Sequence, residues 1–231
     1  MYLLLDIGNT RTKAMLADRA GQLRPFDLEK DQLDTASVKA IYYAAVASQD
    51  KVQALKKQLT LSEQPWRQIE SEAYRFGINN CYSQPHLLGV DRWLAMLGAN
   101  WLYSGTDCMV IDAGTAVTID WLAADGQHHG GWILPGLKLQ QQSVVQKTAK
   151  VFNADTHQAR LIYGSDTVSC LQNGCFAAVL GAIGQAWQLQ PMTKMVLTGG
   201  DAGLLQGYLK RHPLVMQPHL LFYGLSRFIE S

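Results

Sequence analysis

Apolar residues run along this chain in short blocks, each closed by turn residues. "YLLLD" (2–6) reads as a buried strand, being apolar, short and ended by a turn. "IGNT" follows, with Gly8 and Asn9 both tolerant of positive φ, so a tight hairpin turn is expected. "TKAMLAD" returns as a second strand, and "VKAIYYAAVAS" reads as a further one. The period then changes. "SQDKVQALKKQL" predicts a helix with Ser48 as its cap and Val52, Leu55 and Leu59 on one face. "GVDRWLAMLGANWL" predicts an amphipathic helix, with Val90, Trp93, Leu94, Leu97 and Trp101 at helical spacing and Asp91 in or before the first turn. Thr167 to Trp187 predicts one long helix whose apolar side carries Val168, Leu171, Phe176, Leu180, Ile183 and Trp187. Gly174, Gly181 and Gly184 lie inside it. A glycine costs a helix about 1 kcal/mol relative to alanine, so three ask for close packing, within the chain or across a subunit interface.

One pattern occurs twice. "LLLDIGNTRTKAML" from Leu3 and "MVIDAGTAVTIDWL" from Met109 are both an apolar strand, an aspartate, x-Gly, a turn and a second strand. Asp6 falls on Asp112, Gly8 on Gly114, Asn9 on Thr115 and Thr12 on Thr118. One such match is common among tight turns; two, each opening about half of the chain, indicate an internal duplication. The halves are expected at 1–107 and 108–231, with the boundary near "SGTD". Facing each other across a cleft, they would offer Gly8, Asn9 and Thr10 on one side and Gly114 and Thr115 on the other. Glycine lets backbone amides approach closely, which suits phosphate oxygens. Carboxylates beside a phosphate need a cation between, so Asp6 and Asp112 read as metal-side groups, holding Mg²⁺ directly or through water. The alternative is that each aspartate caps its own turn.

Composition narrows the class. The 231 residues are 48% hydrophobic and 17% charged, with net charge +1, an ordinary globular balance. There is no basic block or acidic tail, so no nucleic-acid or membrane partner is expected. "MYLLLDIGNT" lacks the basic start and apolar length of a signal peptide, and no run is expected to span a membrane. Cys81, Cys108, Cys170 and Cys175 form no Cys-x-x-Cys pair, which reads as a reduced, cytoplasmic chain with thiols as small core residues. His128 and His129 could ligate zinc, but no ligand spacing supports it, and a polar loop is expected there.

Five segments in this order, "DIGNTRTK" (6–13), "LGVDRW" (88–93), "DAGTAVTID" (112–120), "GGWILPGL" (130–137) and "TGGDA" (198–202), resemble the type III pantothenate kinases over nearly the whole chain. These belong to the actin-like ATPase superfamily, with the acetate and sugar kinases. The resemblance implies an α/β fold of two similar ribonuclease H-like halves, each a mixed sheet flanked by helices, with an interdomain cleft. It implies ATP-dependent phosphorylation of pantothenate to 4'-phosphopantothenate, the first step of coenzyme A biosynthesis, in a cytoplasmic homodimer.

The same resemblance assigns roles. In the first phosphate loop, Asp6 bears on Mg²⁺ and Lys13 on a phosphate, with Gly8, Asn9 and Thr10 cradling oxygens. In the second, Thr115 contacts ATP, and Asp112 holds a monovalent cation, K⁺ or NH₄⁺. Asp91 is the base for the attacking hydroxyl, opening a helix beside Arg92; without the resemblance it reads as a helix cap. Arg92 is the natural partner of pantothenate's carboxylate through its planar fork. The segment Gly89, Val90, Asp91 and Arg92 contacts substrate, Tyr82 lines the pantothenate pocket, and Thr167 reaches the partner's pocket across a dimer. Gly199 and Gly200 form the adenine-side loop, while Gly131, Pro135 and Gly136 read as backbone shapers. Another kinase or phosphohydrolase of the superfamily, or a regulator without turnover, remains the alternative. The presence of Asp6, Asp91 and Asp112 argues against the regulator.

Overall fold

The structure is a computed structural model describing residues 1–9, 11–61, 63–148, 151–152 and 159–229. It divides into two compact units: 1–105 with 124–128 and 219–231, and 106–123 with 129–218. In the first unit, β1 (Tyr2–Ile7), β2 (Thr12–Ala17), β3 (Leu23–Phe26), β4 (Ala40–Ala45) and β5 (Trp66–Gln68) form one sheet in the order β3-β2-β1-β4-β5. β1 runs antiparallel to β2 and parallel to β4. Leu3, Leu4, Leu5 and Ile7 are fully buried, as expected of a strand covered on both faces. Leu3, Leu5 and Ile7 share a core with Val52 and Leu55 of α1 (Gln49–Gln58). Ser48 stands at the N-cap of α1, but its side chain makes no cap hydrogen bond.

The rest of the first unit differs from the expectation. β6 (Tyr74–Arg75) and β7 (Ile78–Asn79) make a separate ribbon, and α2 (Val90–Leu102) follows. α2 is buried on every side from Arg92 to Ala99, so it is a core helix rather than an amphipathic one. Trp101, predicted on its apolar face, is 60% exposed, with the Arg227 guanidinium 5.2 Å from its ring centre.

The second unit repeats the first sheet. β8 (Cys108–Ala113), β9 (Ala116–Leu122), β10 (His128–Pro135), β11 (Lys194–Thr198) and β12 (Leu214–Met216) lie in the order β10-β9-β8-β11-β12, the same order as in the first sheet. Here too the leading strand, β8, is antiparallel to the next and parallel to its other neighbour. The helices are α3 (Leu137–Lys147), α4 (Thr167–Leu189) and α5 (Ala202–Leu205). α4 is long and apolar enough to cross a membrane by length and composition, which corrects the expectation that no run is. Phe176, Val179, Ile183 and Ala186 nevertheless bury one face in the core with Met109, Ile111 and Leu197, making it a core helix of this unit. Its start is a capping box that the sequence reading missed: Asp166 Oδ1 accepts from Ser169 N at 2.9 Å, and the Ser169 side chain reaches back to the cap residue.

The glycines of α4 do not pack within the chain. A Cβ at Gly174, Gly181 or Gly184 would meet nothing within 4 Å. The close helix crossing is elsewhere. α6 (Leu220–Ser226) returns to the first unit and lies on α2, where a Cβ at Gly98 would strike the Leu220 carbonyl and one at Gly224 the Leu94 carbonyl. A single cut before Cys108 marks where the second sheet begins, but the last helix packs with the first unit.

Two side-chain expectations also change. His128 is not in a polar loop; it begins β10, is fully buried, and lies 3.4 Å from Cys81 Sγ through Nδ1. None of the four cysteines forms a disulfide, but Cys81 and Cys170 are exposed, so only Cys108 and Cys175 are core residues. Burial pushes the Cys108 thiol up to about 11.

Candidate functional site

In the first unit, the β1–β2 hairpin register sets the chemistry. Asp6 pairs with Lys13 and Ile7 with Thr12, leaving residues 8–11 as the loop. Gly8 does not use positive φ; it matters because a Cβ there would lie 3.1 Å from the Arg11 carbonyl that its own N–H bonds. Thr10 lies outside the described residues. Lys13 Nζ is 4.0 Å from Asp6 Oδ2. Burial raises the Asp6 carboxyl above its ordinary value; Lys13 opposes this, Asp91 adds to it, and Arg11 opposes it. Asp91 is thus close enough to Asp6 for their charges to interact, although 85 residues separate them in sequence.

Asp91 is the second residue of α2, and Gly89 is the N-cap. Asp91 therefore caps nothing by position. Its Oδ1 accepts from the Arg92 backbone N–H at 2.8 Å and would sit 2.6 Å from any Cβ placed on Gly89. The glycine makes room for the carboxylate. Val90, between them, is the first residue of the helix. Arg92 is 4% exposed and donates through Nη1 to the Tyr82 hydroxyl at 2.9 Å. The Tyr82 ring stacks on buried His128 at 13°. The structure thus brings Asp6, Lys13, Tyr82, Gly89, Asp91 and Arg92 together within one unit.

A residue the sequence reading did not single out closes the other side of the loop. Lys51, in the first turn of α1, donates to the Gly8 carbonyl and to the Asn9 carbonyl at 3.1 Å. No local pattern marks it, because the contact spans more than 40 residues of chain.

In the second unit, Asp112 pairs with Thr118 across β8–β9 and with Thr198 across β8–β11. Ala113 pairs with Val117, so this loop is one residue shorter than the first. Thr118 therefore stands where Lys13 does, which corrects its ungapped alignment with Thr12. Thr115 is exposed at the loop tip, and its carbonyl accepts from the Gly136 N–H at 2.9 Å. A Cβ on Gly136 would strike the carbonyls of Gly114 and Thr115. Gly199 has φ +97°, and a Cβ there would meet Asp112 Oδ1 and the Ala113 carbonyl, so its glycine is required by the packing of its own chain. Gly200 follows it in an exposed turn. Thr167 is the exposed first residue of α4, on the rim of a cavity of ≈ 590 Å³ with Asp166, Cys170 and Leu171.

Residues 2–189 match the family described as "Type III pantothenate kinase". A type III pantothenate kinase of Pseudoalteromonas translucida (strain TAC 125) is 35% identical over 232 residues, covering 100% of this chain and 97% of that protein. The chain belongs to the type III pantothenate kinase family. Among solved structures, a "conserved putative Baf family transcriptional activator" from Campylobacter jejuni aligns over 99% of this chain and 97% of its own, with TM-score 0.65 and 26% identity. A "putative 2-dehydro-3-deoxygalactonokinase" from Sinorhizobium meliloti, at TM-score 0.60 and 12% identity over 98% of this chain and 97% of its own, shares the fold alone. The architecture is the α/β arrangement of that kinase superfamily, two mixed sheets flanked by helices.

A kinase family implies a divalent cation with its nucleotide. Among the described residues, no three His, Cys, Asp or Glu side chains gather into a ready-made metal site. The residues present still fit Mg²⁺, which is commonly held by one or two carboxylates and completed by water and phosphate oxygens. Asp6 is such a carboxylate, half-buried and beside a second one. The oxygen-bearing set of Asp112, Thr118 and Thr198 likewise suits a hard cation.

Proposed function

We propose that this chain transfers the γ-phosphoryl group of ATP to the terminal hydroxyl of pantothenate, giving 4'-phosphopantothenate and ADP. The carrying observation is that Asp91, in the first turn of α2, lies near enough to Asp6 at the end of β1 to help raise its carboxyl, which supports reading the two as base and cation-side carboxylate of one site. Family membership supplies the substrate class.

In this reading, Gly8, Asn9, Thr10 and Lys13 bind ATP phosphates, as does Thr115, and Gly199 and Gly200 lie on the adenine side. Asp6 would hold Mg²⁺, directly or through water; bound there, the ion neutralises phosphate charge. Asp112, with Thr118 and Thr198, takes K⁺ or NH₄⁺. Tyr82, Gly89, Val90 and Arg92 hold pantothenate, with Arg92 on its carboxylate. The hydroxyl oxygen attacks the γ-phosphorus as the bond to ADP's oxygen breaks, and Asp91 accepts the hydroxyl proton. A carboxylate suffices as base because in a loose transition state the proton leaves late.

The enzyme is proposed to act as a cytoplasmic homodimer. The open glycine face of α4 lets a second backbone approach, and Tyr163 nearby in sequence is 96% exposed. Thr167, at the exposed start of that helix, would then contribute to the partner's pantothenate pocket. The test is ATP-dependent formation of 4'-phosphopantothenate, assayed beside a panel of sugars, acetate and polyphosphate. Turnover of a panel member without turnover of pantothenate would place the chain elsewhere in the superfamily.

A further inference from the structure

We infer that Lys51 is a positioning residue for ATP: its ammonium clamps the carbonyl side of the first phosphate loop and so presents the loop's amide edge to the nucleotide phosphates. The inference rests on the reading of residues 8–13 as that loop. Lys51 sits in the first turn of α1, where unpaired amides already give the helix end partial positive charge and a cation is disfavoured. A residue placed against a local rule asks for a compensating role. Here the ammonium donates to the carbonyls of Gly8 and Asn9, two successive peptides of the hairpin.

The consequence follows from peptide geometry. A trans peptide carries its C=O and N–H on opposite edges. Turning the Gly8 carbonyl toward Lys51 turns the Asn9 N–H away from it. A charged donor on the carbonyl also polarises the peptide and makes its N–H a stronger donor. The second unit reaches the same end by backbone, since the Gly136 N–H bonds the Thr115 carbonyl. Each loop thus has a donor behind its tip, which sets Lys51 apart from an incidental surface contact.

Steady-state kinetics of Lys51→Met and Lys51→Arg test this, with Lys13→Met as a probe of the loop itself. Lys51→Met should raise KM for ATP about tenfold, the worth of one charge-assisted hydrogen bond, and leave KM for pantothenate within about twofold. Its Tm should not fall, because a cation leaves a helix N-terminus. Lys51→Arg should recover most of the ATP affinity, since a guanidinium can serve two carbonyls. Unchanged KM for ATP in Lys51→Met, with a raised value in Lys13→Met, overturns the inference and leaves the loop reading standing. No change in either overturns both. A lowered Tm with both KM values raised alike makes Lys51 a structural brace, which also overturns it. Should Lys51→Met not fold, Lys51→Gln, which keeps a donor without the charge, carries the same comparison.

Discussion

The two sheets share one strand order, yet the aspartates at the ends of their leading strands have different neighbours. Asp6 stands across from Lys13, and its loop is held from behind by the Lys51 ammonium. Asp112 stands between Thr118 and Thr198, and its loop is held by the backbone N–H of Gly136. The first loop has four residues between paired strands and the second has three, so the repeat is one of topology rather than of register. The difference teaches that duplication preserved the frame while the chemistry diverged. The first loop is flanked by charged side chains; the second is flanked by hydroxyl-bearing residues and main chain.

The sharpest way to break this comparison is Asp91→Asn. If the first unit carries the base, kcat falls by roughly two to four powers of ten while ATP binding stays near normal. Near wild-type kcat would leave Asp91 as a helix-start residue only. The next test separates the two aspartates by cation. Activity should fall when Na⁺ replaces K⁺ and recover on NH₄⁺; Asp112→Ala should abolish the recovery at saturating Mg²⁺, whereas Asp6→Asn should instead change the Mg²⁺ dependence. Identical cation profiles for the two variants would erase the distinction. Arg92→Lys should raise KM for pantothenate about tenfold and KM for ATP much less, because an ammonium cannot reproduce a planar fork. Equal changes would move Arg92 out of the substrate pocket.

Two smaller effects sharpen the contrast. Gly136→Ala forces a Cβ against the carbonyls of the second loop and should cost about 1–3 kcal/mol, read from a urea midpoint. High salt should not mask that loss, since no charge is involved. Asp6 gives the smallest effect, through pH. Its carboxyl is raised in the folded chain, so its contribution to stability is full below the unfolded value of roughly pH 4 and is lost as pH rises through the raised one. Without ligands, Asp6→Asn should therefore melt slightly higher than the wild type at neutral pH, and the gap should close on acidification. A wild type more stable than the variant at neutral pH would contradict the sign.

Local pattern carried the frame. The paired strand–Asp–x–Gly segments and the first-turn position of Asp91 are where periodicity and turn residues put them, while each leading strand runs one residue past its aspartate, to Ile7 and Ala113. What sequence could not show are contacts made by folding distant pieces together. Glycines in a helix ask for close packing within the chain or across a subunit interface, and at Gly174, Gly181 and Gly184 nothing of this chain packs closely. The tight crossing is between Gly98 and Gly224, more than 120 residues apart. His128 looked like a loop residue because only the fold reveals what covers it. Lys51 looked like one more lysine of a charged helix.

The return of α6 to α2 has a consequence for synthesis. The helix that bears Asp91 is completed by residues made more than 100 positions later, because Gly98 packs on a helix beginning at Leu220. The second unit, apart from the short insertion 124–128, is continuous from residue 106 to 218 and has every strand of its sheet before the final helix is made. Domains generally fold as units and in order of emergence, but here the earlier unit must wait for the segment that follows residue 218. A released chain that stops after residue 218 would carry every strand of the second sheet and an unclosed first unit, its α2 face bare to chaperones and proteases. Cutting the chain after residue 218 should thus disable the helix that bears Asp91, more than 100 residues upstream, before it touches the sheet that immediately precedes the cut.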